Sequence, residues 1–186
     1  MFRCYNSRDS TVNFRALSRG LLRKTLKLQQ QSFRTFQQYL SARTPYVTNW
    51  SLFTMKPCLR IIKPCPECIS SHYTTDLEKD FETLKTILEV IGSVLAEDEA
   101  KQSSKIRHSL KSLRRFTKQL LCEIHTFLLM SGKHGIGDGF VNDIVQSRDW
   151  CVFKSLSARY ERDVFVLRQI ASISSEIYNR YKKIFL

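Results

Sequence analysis

In the stretch TTDLEKDFETLKTILEVIGSVLAEDEA, apolar residues Leu77, Phe81, Leu84, Leu88, Ile91 and Leu95 recur at steps of 4, 3, 4, 3 and 4. That rhythm is one stripe of an α-helix and predicts a helix over about residues 75–96. Thr75 and Glu78 have the spacing of a capping box, in which each side chain satisfies an orphan amide at the helix start. Ile106, Leu110, Leu113, Leu120, Ile124 and Phe127, with Thr117 in the remaining slot, keep the same period over about 103–131. Gly132 marks the end of that helix. Upstream, Leu22, Leu26, Phe33, Phe36 and Leu40 predict a helix over about 12–42. Downstream, Phe153, Leu156, Tyr160, Val164, Leu167, Ala171, Tyr178 and Tyr181 predict one over about 147–184.

All four prolines, Pro45, Pro57, Pro64 and Pro66, fall between the first two of these helices. Proline removes an amide donor and clashes with the preceding turn, so about 43–74 is expected as a long, irregular, Pro/Cys-rich crossover loop. The second link, AEDEAKQS, is short, and antiparallel neighbours follow from it. A helix of about 25 residues is roughly 37 Å long. The first link can run back along such a length with ease, and Ser131–Gln146 can just span it. The expected fold is all-α: a single domain, 1–186, folded as an up-up-down-down long-chain four-helix bundle with long crossover loops.

Composition changes this picture little, but charge adds to it. The net charge is +13. Residues 1–75 hold 12 Lys/Arg against Asp9 and Glu67, a balance of +10, and residues 76–186 hold 18 against 15, a balance of +3. Such a chain meets nucleic acid, anionic glycans, lipid headgroups or an acidic protein face, or simply carries a basic solvated surface. No apolar run approaches the ~18 residues of a membrane span. The first residues, interrupted by Arg3, Arg8, Arg15, Arg19 and Arg23, show no secretory signal. They have the rhythm of a mitochondrial transit segment instead.

The stretch PCLRIIKPCPEC, residues 57–68, raises three chemistries. Structural zinc would need ligands beyond Cys65 and Cys68. Cys58 and His72 are near, but their spacing is not that of a finger. A redox pair needs a strand-to-helix setting, which a Pro-rich loop does not provide. Disulfides are the third reading. With Ile106 and Leu110 as core positions, Cys122 falls on the polar side of its helix with Arg115 and Lys118, an unusual place for a free thiol. Six cysteines, Cys4, Cys58, Cys65, Cys68, Cys122 and Cys151, is an even count that suits an oxidising compartment. Three in one loop cannot all pair internally, so at least one reaches Cys4, Cys122 or Cys151. Asn49-Trp50-Ser51 is a glycosylation sequon. His72, His108, His125 and His134 show no ligand spacing, and the glycine-dense KHGIGDG lacks the order of a phosphate loop. No enzyme, metal or cofactor is expected.

The last helix carries a resemblance. DWCVFKSLSARYERDVFVLRQI resembles the final helix of interleukin-6-family cytokines, nearest the ciliary neurotrophic factor, cardiotrophin and cardiotrophin-like branch. The matching pattern is Asp149-Trp150, then Val152, Phe153, Lys154 and Leu156, with Arg162 near the middle. LLRKTLKLQQQSFRTFQQYL is similar to the family's opening helix and DLEKDFETLKTILEVIGSVLAED to its second. The likeness covers most of 15–175 as a layout with scattered identities. The family's Phe-x-x-Lys at the last helix, which engages the leukemia-inhibitory-factor receptor, is not kept. A gapless match places Asp143 and Gln146 there, and a three-residue slip gives Phe140 and Asp143. Trp150 is then either the aromatic receptor anchor or a core residue.

The resemblance implies a secreted, monomeric cytokine that assembles receptor chains, the family's shared signal transducer among them, and so activates intracellular kinases. Two branch members are leaderless, which accommodates the missing signal. Expected receptor contacts are Phe140, Trp150, Lys154, Arg162 and Arg168 on the last helix. Lys27 and Arg34 on the first helix join Lys111, Arg115 and Lys118 on the third in a basic face, which would also attract heparan-like glycans. The alternative is an intracellular, mitochondrial, basic helical protein that binds nucleic acid, with Met1–Lys27 as its transit segment.

Overall fold

A computed structural model of the chain describes residues 14–46, 73–97, 104–132 and 155–186. These form four helices: α1 (Phe14–Arg43), α2 (Tyr73–Glu97), α3 (Ser104–Met130) and α4 (Leu156–Phe185). No strand occurs among the described residues. A 3₁₀ turn, Thr44–Tyr46, closes α1. Pro45 disfavours helical backbone in the residue before it, and the Thr44 hydroxyl donates to Leu40 O at 2.7 Å. The 47–72 stretch of the Pro/Cys-rich loop, the 133–146 link and Phe153 lie outside the described residues.

α3 stops where its sequence says it should. Gly132 has φ 78°, a conformation that costs glycine nothing. Its amide donates to Leu129 O at 3.1 Å and that of Ser131 to Phe127 O at 3.0 Å. Two other boundaries differ from expectation. α2 opens at Tyr73, so Thr75 lies within the first turn and is not its cap; a Ser/Thr-x-x-Glu spacing fits a residue inside a helix equally well. α4 opens at Leu156, not near 147. Ser155 is extended (φ −76°, ψ 134°) and its hydroxyl accepts from the Ala158 amide. Serine is a preferred N-cap because its oxygen takes an orphan amide, and an apolar stripe running past it does not register that stop.

One apolar cluster draws on all four helices. The expected α3 stripe is buried throughout, Thr117 included, and Tyr160, Val164, Leu167, Ala171 and Tyr181 are buried on α4. On α2, Leu77, Phe81, Leu84 and Ile91 are buried as expected, joined by Ile87, Val90 and Val94. The α1 stripe needs correction. Its buried seam is Leu17, Leu21, Thr25, Leu28, Ser32, Thr35 and Tyr39. Leu22, Phe36 and Leu40 flank the core, and Phe33 is 54% exposed. Three hydroxyl residues hold seam positions because each bonds back to its own helix. Thr25 donates to Leu21 O at 2.8 Å, Ser32 to Gln29 O at 2.9 Å and Thr35 to Gln31 O at 2.8 Å. Burying them therefore leaves little unsatisfied.

Cross-helix pairs fix how the helices lie. Gln29 donates to Ser175 at 3.2 Å and Tyr39 to Asp163 at 2.7 Å, so α1 and α4 run antiparallel. Phe14 meets Phe127 at 5.0 Å, Lys24 pairs with Glu123 and Gln31 donates to Ser109 at 3.1 Å, so α1 and α3 do too. Asp80 pairs with Arg180 and Glu97 with Arg162, so α2 and α4 are antiparallel as well.

Candidate functional site

The α1/α3 seam is polar at one end, and its floor is built first. Gln31 donates to the Ser109 hydroxyl and to the Thr35 hydroxyl, both at 3.1 Å. Thr35 and Ser109 share a hydrogen bond of 2.9 Å. Above that floor lies an open cleft of about 350 Å³ lined by Gln31, Arg34, Gln38, Ser104, Lys105, His108, Ser109 and Ser112. Among the described residues no carboxylate lines it. Two helical turns away, Lys24 pairs with Glu123. Gly20 lies against that pair, and a Cβ there would meet the end of the flexible Glu123 side chain, which would have to shift.

Of the basic residues expected on this face, Lys27 and Arg34 are exposed on α1 and Lys111 and Arg115 on α3, with Lys118 half-buried. They do not share one cleft. Ser109 and Glu123 bond from α3 to α1, and Lys105 and Ser112 line the cleft beside them. Lys111, Arg115, Lys118 and Cys122, spaced 4, 3 and 4, form a stripe rotated further round α3. Arg115 lies 5.1 Å over the Phe116 ring. Burial, and next the nearby Arg114, lower the Lys118 pKa. Lys105 and His108 were not foreseen in the site. Their i, i+3 spacing puts them on one side of the first turns of α3, but only the pairing with α1 turns that side into a cleft wall.

Arg162 is a correction. It is fully buried and cannot contact a receptor. Its guanidinium donates to Glu97 Oε2 at 2.9 Å and Oε1 at 3.3 Å. It also donates to Asp163 Oδ1 at 2.7 Å from Nη2 and 2.9 Å from Nε. Asp163 Oδ2 in turn accepts from Tyr39, and Arg43 stacks 4.1 Å from the Tyr160 ring centroid. The cluster ties α4 to α2 and α1. At the opposite end of the bundle, Asp80 pairs with Arg180 beside the buried Tyr181. Burial raises the Asp80 pKa to about 6, outweighing Arg180 and a Tyr181 hydrogen bond, which lower it. Burial likewise pushes the Tyr181 phenol well up.

Arg168 is exposed on α4. Phe140, Trp150 and Lys154 lie outside the described residues, as do Asn49, Cys4, Cys58, Cys65, Cys68 and Cys151. Cys122 is half-buried on α3. Among the described residues no cluster of three or more His, Cys, Asp or Glu could hold a metal, and no helix is long and apolar enough to cross a membrane. Comparison with protein-family models, curated proteins and solved structures finds no match to this chain.

Proposed function

We propose that the chain is a secreted helical cytokine of the interleukin-6 type, acting by binding and assembling cell-surface receptor chains and performing no chemistry. The observation that carries this reading is the order of helix directions. α1 and α2 both run antiparallel to α4, and α3 runs antiparallel to α1. The first two helices then point one way and the last two the other. That up-up-down-down order is the arrangement of long-chain cytokine bundles. A disulfide through Cys122 belongs to this proposal and would suit an oxidising, extracellular setting.

Exposed Lys27, Arg34 and Arg168 offer contacts to receptor chains, including the family's shared signal transducer. Hot-spot energetics favour a few Arg and aromatic anchors over the sum of all contacts, and Phe140 and Trp150 remain the proposed aromatic ones. Heparan-like glycans are proposed as a second partner for the basic face.

The mitochondrial, nucleic-acid-binding reading has a physical difficulty. Removing residues 1–27 as a transit segment would strip Leu17, Leu21 and Thr25 from the buried seam. The two readings separate in one comparison. The oxidised protein is applied to cells carrying a reporter and the shared transducer, and in parallel titrated with single-stranded nucleic acid. Reporter activation without tight nucleic-acid binding supports the cytokine reading. The reverse result overturns it.

A further inference from the structure

Among the described residues, the α1/α3 cleft gathers basic side chains with no carboxylate in its lining. α1 carries seven basic residues, Arg15, Arg19, Arg23, Lys24, Lys27, Arg34 and Arg43, and no Asp or Glu over its 30 residues. Lys24 is paired with Glu123 and Arg43 is stacked on aromatic rings. Arg34 makes no ion pair among the described residues, and neither does Lys105 across the cleft. Lys105 stands in the first turn of α3, which contains no acid. There the helix dipole disfavours a cation. Two like charges facing one concavity, with no carboxylate among the described lining residues, repel, and a bound anion would relieve that repulsion.

The remaining lining selects the kind of anion. Gln38, Ser104 and Ser112 supply amide and hydroxyl groups that donate hydrogen bonds to oxygen. Among the described residues His108 is the one aromatic ring lining the cleft, with no Phe, Tyr or Trp beside it, so the cleft lacks the row of rings on which successive bases of single-stranded nucleic acid usually stack. Arg23, Lys27 and Arg34 are exposed and spaced 4 and 7, which places them on one side of α1. A linear polyanion entering the cleft would meet Lys27 about 10 Å away along the helix, and Arg23 beyond it.

We infer that this cleft is an anion-recognition site that takes a sulfate group of a sulfated polysaccharide. Arg34 and Lys105 are its charge partners, Gln38, Ser104 and Ser112 its neutral donors, and the chain continues over Lys27 and Arg23. A polysaccharide as the source of the sulfate rests on the extracellular reading above. The anion preference of the cleft rests on its lining alone.

The test is binding of defined heparan oligosaccharides to the oxidised full chain at physiological salt, by calorimetry. The charge-matched double variants Arg34→Ala/Lys105→Ala and Lys111→Ala/Arg115→Ala are compared, each first checked for native helicity. Charge-assisted hydrogen bonds are strong enough that the first pair should weaken binding about tenfold or more. The second pair, on the neighbouring stripe, should weaken it no more than about threefold. Equal losses from both pairs would mean a diffuse basic surface and overturn the proposal. So would undiminished binding of N- and O-desulfated oligosaccharide, or equal affinity for single-stranded DNA of matched charge. Inorganic sulfate protecting Arg34 and Lys105 from acylating and dicarbonyl reagents, with no polysaccharide binding, would retain the anion site and overturn the polysaccharide. Failure of the receptor reporter with polysaccharide binding intact would remove the receptor reading and leave this one standing.

Discussion

Arg162 and Glu97 meet across the bundle in a two-pronged ion pair, with N···O distances of 2.9 and 3.3 Å. The arginine is fully buried, and the glutamate keeps 23% of its side chain exposed. Asp163, beside Arg162, binds the same guanidinium and hands its other oxygen to Tyr39. Three helices therefore share one charge cluster.

Arg162→Ala would strand Asp163 in the interior. Breaking a buried pair from one side costs about 3–5 kcal/mol, against at most about 0.5 kcal/mol for an exposed position such as Arg168. Chemical denaturation of Arg162→Ala and Arg168→Ala checks this. A stability of Arg162→Ala equal to wild type would restore Arg162 as a surface contact.

Asp80 should give the fold a pH signature. Its pKa rises from 3.8 to about 6 on burial, so between these values the folded state holds more protons than the unfolded state. Stability from this group is full below the unfolded pKa and falls as pH rises through about 6. Two pKa units amount to on the order of 3 kcal/mol. Melting wild type and Asp80→Asn from pH 4 to 7 isolates the effect. The difference between them should change steadily across pH 4–6 and level off above. Parallel profiles would contradict it.

Two glycines should respond in opposite directions. Gly132, at φ 78°, ends α3, and Gly132→Ala should cost about 1 kcal/mol. Gly92 sits inside α2 with nothing within 4 Å of an added Cβ, and Gly92→Ala should stabilise by about 0.5–1 kcal/mol. Urea midpoints of the two variants, at unchanged slope, decide both.

How much of this was legible depended on what fills each seam. α3 was readable residue by residue because its buried face is almost wholly Leu, Ile and Phe. α1 was misread by one stripe because Thr25, Ser32 and Thr35 occupy its seam while Phe33 points outward. Polar side chains that bond back to their own helix carry no apolar signal. Arg162 read as a surface anchor because its partner Glu97 lies 65 residues away, a pairing that exists only once α2 and α4 are packed. The cleft was half legible: Arg34 stood out by charge, whereas Lys105 and His108 needed α1 beside them.

A disulfide at Cys122, part of the proposed extracellular reading, should be visible by mass and by stability. Each bridge lowers the intact mass by two hydrogens, and reduction of the Cys122 bridge should destabilise by about 2–4 kcal/mol. Free Cys122 thiol in native protein, found by alkylation and peptide mapping, would contradict the bridge and weaken the case for an extracellular setting.

The central claim is receptor engagement, and its most direct measurement is surface-bound affinity for the purified extracellular region of the shared signal transducer, alone and with candidate partner receptors. The account predicts saturable binding by the oxidised protein, weakened by Lys27→Ala/Arg34→Ala or by Arg168→Ala with helicity and melting unchanged. Absence of saturable binding in every receptor combination, by protein shown to be folded and oxidised, would contradict it.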